Sequence, residues 1–167
     1  MTMNARTTRV LTVVGAVAVL VSGWVHFALY FRGGYRGIAP EMFAGLTISR
    51  AFALNALAAV VIAEALVLSL RFPRLLLAAS LAGTAFAVST LLAYGLSRTS
   101  GLLGFEETAT TTKAVIGATA EIVALLSLAP LAFATASLRH QLSTRTGPQA
   151  DADAAADSAA PASSASA

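Results

Sequence analysis

Residues 51–96 read AFALNALAAVVIAEALVLSL-RFPR-LLLAASLAGTAFAVSTLLAYGL, two long apolar runs parted by Arg71-Phe72-Pro73-Arg74. A membrane-crossing helix needs roughly 20 mostly apolar residues. Both runs, 51–70 and 75–96, reach that length. The first contains one ionisable group, Glu64, and the second contains no acid, base or histidine. Pro73 cannot continue a helix, and so short a connection leaves room only for a tight helical hairpin. The two spans must then be antiparallel neighbours.

Two further windows of the same kind flank this hairpin. Residues 10–31 carry a single ionisable group, His26, and residues 114–136 carry only Glu121. Each window stops at a charge or turn signal: Arg32-Gly33-Gly34, Ser97-Arg98 and Leu138-Arg139-His140. The reading is an all-α, antiparallel four-helix transmembrane bundle over residues 10–136, with a short N-terminal segment (1–9) and a tail (137–167). The first window invites comparison with a signal peptide, Arg6 and Arg9 supplying its basic region. Its apolar stretch is too long for that, and no clean small-x-small cleavage site follows, so it is expected to remain as a span.

Composition agrees. Hydrophobic residues make up 57% of the chain and charged residues 11%, against about a quarter charged in soluble domains. The mean hydropathy is +0.76. There is no cysteine, which excludes a disulfide framework, a thiolate metal site and thiol redox chemistry. The net charge of +3 comes from basic residues at the edges of apolar runs, as in membrane proteins, so no nucleic-acid partner is read from it.

Arginine and lysine near the span ends set orientation. Arg6, Arg9, Arg71, Arg74, Arg139 and Arg145 fall on one side, and Arg32, Arg36, Arg50, Arg98 and Lys113 on the other. The expectation is a multi-pass protein of the cell membrane with both termini cytoplasmic. The last 18 residues comprise ten Ala, four Ser, three Asp and one Pro, and such a segment reads as disordered. The lipid bilayer is thus the first partner. Lipid removes the hydrophobic drive for helix association, so close packing relies on small residues. Ala79, Gly83 and Ala87 form one such stripe, and Ala59 with Ala63 a second.

Ionisable groups inside a span are costly and are candidate functional sites. At a rise of about 1.5 Å per residue, His26 lies about 7–8 Å and Glu121 about 10 Å below the outer surface. Asn55 and Thr90 fall near the same level, with Tyr30 and Tyr94 at its edge. His26, Asn55, Thr90 and Glu121 are therefore the candidate intramembrane site, with Tyr30, Glu64, Tyr94 and Arg98 as secondary candidates. Ser22, His26 and Tyr30 share a helix face by their spacing of four. Glu64 points away from Asn55, half a turn after nine residues, and Ser80, Thr84 or Ser127 are the groups expected to satisfy it.

Each candidate has a plainer explanation. His26 can be a structural histidine bonded within its own helix. Glu121 can lock two helices through a hydrogen bond, and Glu64 can be structural. Tyr30, Tyr35 and Tyr94 suit the headgroup level, and Trp24, deeper than that belt, is expected to pack. Arg98 can pair with Glu106 or Glu107 across its loop. His26, Glu106, Glu107 and Glu121 are metal-ligand types, but no tight spacing joins them, so no metal and no cofactor is expected. Nucleotide loops, nucleophile elbows and zinc motifs are absent, and no catalytic residue is assigned.

The stretch Leu92-Ala93-Tyr94-Gly95-Leu96-Ser97-Arg98-Thr99-Ser100-Gly101 precedes a last span carrying Glu121. With a first span ending in His26 and a second opening Leu54-Asn55-Ala56, it resembles a loose group of uncharacterised small four-span membrane proteins of actinobacteria. Ser97-Arg98-Thr99 with Gly101 is its most specific part, and the resemblance implies architecture without activity. The functional expectation is binding of a small molecule, ion or proton in the outer half of the bundle. The alternatives are a non-catalytic accessory or scaffold subunit with a membrane-protein partner, and a quinone-linked membrane oxidoreductase.

Overall fold

The computed structural model describes residues 3–33, 47–102, 106, 108 and 110–158, with side chains from 145 onward excepted. The four helices are α1 (Ala5–Arg32), α2 (Ile48–Ser69), α3 (Leu76–Thr99) and α4 (Thr112–Ser158). All four are long and apolar enough to cross a membrane, their most apolar windows having mean hydropathies of 1.9–2.3. The fold is the all-helical bundle that the apolar windows require. Tyr35 and Glu107, and residues 159–167, lie outside the described residues.

Local chemistry explains the boundaries. The Asn4 side chain accepts a hydrogen bond from the Thr7 amide at 2.7 Å, and Thr47 from the Arg50 amide at 3.1 Å. Thr111 does the same for the Ala114 amide at 3.2 Å. Each of these side chains satisfies an amide that the first turn of a helix leaves without a backbone partner. At the hairpin, α2 ends before Phe72, a single 3-10 turn covers Pro73–Leu75, and α3 follows at once. Gly101, at φ 74°, supplies the left-handed residue that turns the chain away from the end of α3.

Helix α1 packs against α2 and α4, and α3 against α4; α2 and α3 touch more thinly despite their short connection. Around this ring α1 and α3 nearly meet across the centre, while α2 and α4 do not. The interior is built from small residues with a few large pegs. Ala59, Ala63, Ala79 and Ala87 are buried, and Leu66, Leu128 and Leu131 are the largest fully buried side chains. Leu128 sits over two glycines from different helices: a methyl added at Gly15 of α1 or Gly83 of α3 would overlap it. Gly23 likewise lets α1 approach Ala59 of α2. The large apolar residues mostly face outward, where hydrocarbon is as good a solvent as another leucine.

Three expectations need correction. Trp24 does not pack inside; it is 62% exposed and stacks on Phe27, 5.7 Å between ring centres, on the outer surface of α1. Glu64 is exposed on α2. The Ser80 hydroxyl donates to the Leu76 carbonyl and the Thr84 hydroxyl to the Ser80 carbonyl, so neither hydroxyl proton is left for Glu64. The segment read as disordered from residue 150 continues α4 as far as Ser158. Five of its nine residues from 150 to 158 are Ala, the strongest helix former.

Candidate binding site

At the end of the bundle that carries the two long connections, the four helices enclose a cavity of about 120 Å³. His26 reaches it from α1, Asn55 from α2, Thr90 and Tyr94 from α3, and Glu121 from α4. These polar groups lie at one level because alternate helices run in opposite directions: His26 is near the end of α1, Glu121 near the start of α4. The remaining wall is largely apolar, formed by residues such as Val25, Leu29, Phe52 and Ala93.

Ser22 joins two of these groups. Its hydroxyl donates to Glu121 Oε1 at 2.9 Å, tying α1 to α4. Its backbone carbonyl lies 2.9 Å from His26 Nδ1. A carbonyl can only accept, so Nδ1 must carry the proton in that bond. Nε2 is thereby left as the ring nitrogen without a bond to a described residue, free to accept from a ligand or to take a proton. The imidazole leans on Phe52, 5.4 Å between ring centres, which fixes its plane from the α2 side.

Glu121 is 3% exposed. Thr90 stands against the same carboxyl group, and its hydroxyl donates to the Phe86 carbonyl at 2.8 Å. Asn55 is half-buried and its amide makes no hydrogen bond with the described residues. An amide at a cavity wall with both donor and acceptor unused can recognise a polar ligand from either side of a hydrogen bond.

The other candidates stand apart. Tyr30 does not line the cavity; its ring meets Phe31 edge-on at 4.7 Å. Glu64 is on the outer face of α2, away from Asn55. Arg98 makes no ion pair with Glu106: its Nη1 is buried without a partner among the described residues. Among the described residues no three histidines or acids gather as a metal site. Sequence reasoning left Ser22 out of the site, although its spacing of four from His26 was visible. Thr111, which also lines the cavity, gave no signal, and Ser97 stood out only as part of Ser97-Arg98-Thr99 at the end of a span.

Fold and site together define a membrane-embedded four-helix bundle with one polar cavity shared by all four helices. Comparison with protein-family models, with curated proteins and with solved structures finds no match.

Proposed function

We propose that this chain is a cell-membrane protein, both termini cytoplasmic, that binds a small polar molecule, ion or proton in the outer half of its bundle. The observation that carries the reading is that polar groups from all four helices face one cavity, where His26 Nε2 and the Asn55 amide bond no described residue and Glu121 is held by Ser22. A polar ligand would meet the two groups left over, His26 Nε2 and the Asn55 amide, in a low-dielectric interior where unmet polar groups are costly. The cavity opens on one side, and its inner volume is small. That volume is slightly less than the roughly 150 Å³ that admits a benzene ring and equals about four waters. Drug-sized ligands need roughly 300 Å³ or more.

The chain has only two histidines, His26 and His140, so ¹⁵N-histidine NMR of the full protein in micelles gives a direct view. Ammonium, guanidinium, acetate and glycerol serve as probes. A saturable shift of the His26 Nε2 signal, abolished in Asn55→Ala and Glu121→Gln with the Nδ1 signal unchanged, is the expected result. Absence of any saturable shift with all four probes, together with a proton titration identical in Glu121→Gln, would sink the proposal.

A second reading, an accessory subunit of a membrane complex, draws on Glu64. An exposed carboxyl group within a span meets lipid unless another protein covers it. Crosslinking from residue 64 in native membranes distinguishes the two.

A further inference from the structure

The end of the bundle at the tight hairpin carries a second depression, a groove of about 480 Å³ between the start of α1, the hairpin and the far part of α4. Its wall is mostly apolar, with Met3, Leu76 and Leu138 beside a few neutral polar residues such as Thr8 and Gln141, and Arg74 and Arg139 also line it. Arg139 Nη2 donates to the backbone carbonyl of Arg74 at 2.8 Å. That bond ties the Arg139 guanidinium to the hairpin backbone at Arg74, where α4 passes it.

Among the described residues no acidic side chain pairs with Arg74 or Arg139. Residues 1–40, 65–105 and 122–150 contain no Asp or Glu. Glu64 stands seven residues before Arg71, about 10 Å along the helix axis. Asp151 is twelve residues beyond Arg139, about 18 Å along α4. Arg6, Arg9 and Arg71 add charge at the same end. Like charges gathered at one end repel unless an anion joins them. An arginine presents five N–H donors, and Arg139 spends one of its own on the hairpin. The rest suit the oxygens of a phosphate. Beside these arginines the apolar wall suits a hydrocarbon chain.

We propose that this groove is a binding site for an anionic glycerophospholipid, its phosphate held by Arg74 and Arg139 and an acyl chain laid along Leu76 and Leu138. The charge of the two arginines selects the headgroup, and the apolar wall selects a lipid over a free anion.

The test uses the full chain, delipidated in a non-ionic detergent and titrated with phosphatidylglycerol, phosphatidylcholine or inorganic phosphate. Native mass spectrometry counts bound lipid, and the thermal midpoint reports stabilisation. Phosphatidylglycerol is expected to bind and raise the midpoint, and the other two not. Arg74→Gln and Arg139→Gln each weaken binding about fivefold, and together about thirtyfold. Arg32→Gln, at the opposite end, leaves it unchanged. Should Arg139→Gln fail to fold, Arg74→Gln carries the test, because that side chain bonds no described residue. Equal binding of phosphatidylcholine, equal stabilisation by inorganic phosphate, or an equal loss in Arg32→Gln overturns the proposal.

Discussion

Leu128 offers the sharpest test of how this bundle is held together. Its side chain is fully buried and lies over Gly15 of α1 and Gly83 of α3. Leu128→Ala removes three carbons. In a water-soluble core such a change costs about 2.7–5.0 kcal/mol. Of that, about 2.4 kcal/mol is transfer from water, at about 0.8 kcal/mol per CH₂. That part disappears where unfolded helices remain in lipid. The cavity term is left, about 0.3–2.6 kcal/mol, and we expect about 1.5 kcal/mol. Gly83→Ala in the native protein pushes a methyl into Leu128 and costs about 1–3 kcal/mol. In the Leu128→Ala background the same methyl enters vacated space, so the substitution becomes stabilising. Reversible unfolding in mixed micelles, followed by circular dichroism on the four proteins of the cycle, measures the reversal. If the two effects simply add, within about 0.5 kcal/mol, Leu128 does not fill the glycine gap and the packing argument fails.

Two further outcomes follow from the polar residues. Ser22→Ala removes the hydroxyl that donates to Glu121, and is expected to cost about 0.6–1.7 kcal/mol, the range of inter-helix hydrogen bonds in membranes; the same micelle unfolding reads it, and an unchanged stability would show that the bond contributes nothing. Glu64→Leu places an apolar side chain where α2 faces outward, and is expected to stabilise the isolated chain by about 1–3 kcal/mol. A loss of stability in that variant would mean that the Glu64 carboxyl group has a partner within the fold.

The four spans were legible because length and apolarity alone define them; the hairpin was legible because Pro73 and two arginines cannot extend a membrane helix. Helix faces were harder to read. In a soluble helix polar residues mark the outside, whereas here both faces are apolar, and size marks the inside instead. Ala59, Ala63, Ala79 and Ala87 are buried while Leu57, Leu92 and Leu126 are exposed. Trp24 was misplaced for that reason, since depth along a helix says nothing about which side a residue takes. The levels of His26, Asn55, Thr90 and Glu121 could be counted from the span ends, and all four line one cavity. The Ser22–Glu121 bond could not be read, because it depends on how α1 and α4 are rotated against each other. Long-range rotation of that kind is set by packing, here by Leu128 and its two glycines, and leaves no local trace.

Ser22 occupies an unusual position in this arrangement. One atom of the residue holds the imidazole of its own helix, and another holds the carboxyl group of a different helix. An event at either group therefore has a mechanical route to the other through a single turn of α1. Thermodynamic linkage makes such a route reciprocal. Whatever factor a ligand on Glu121 imposes on the affinity of His26 for a proton, a proton on His26 imposes on that ligand. Exchanging Ser22 for Ala would cut this exchange of influence while leaving both ionisable side chains in place.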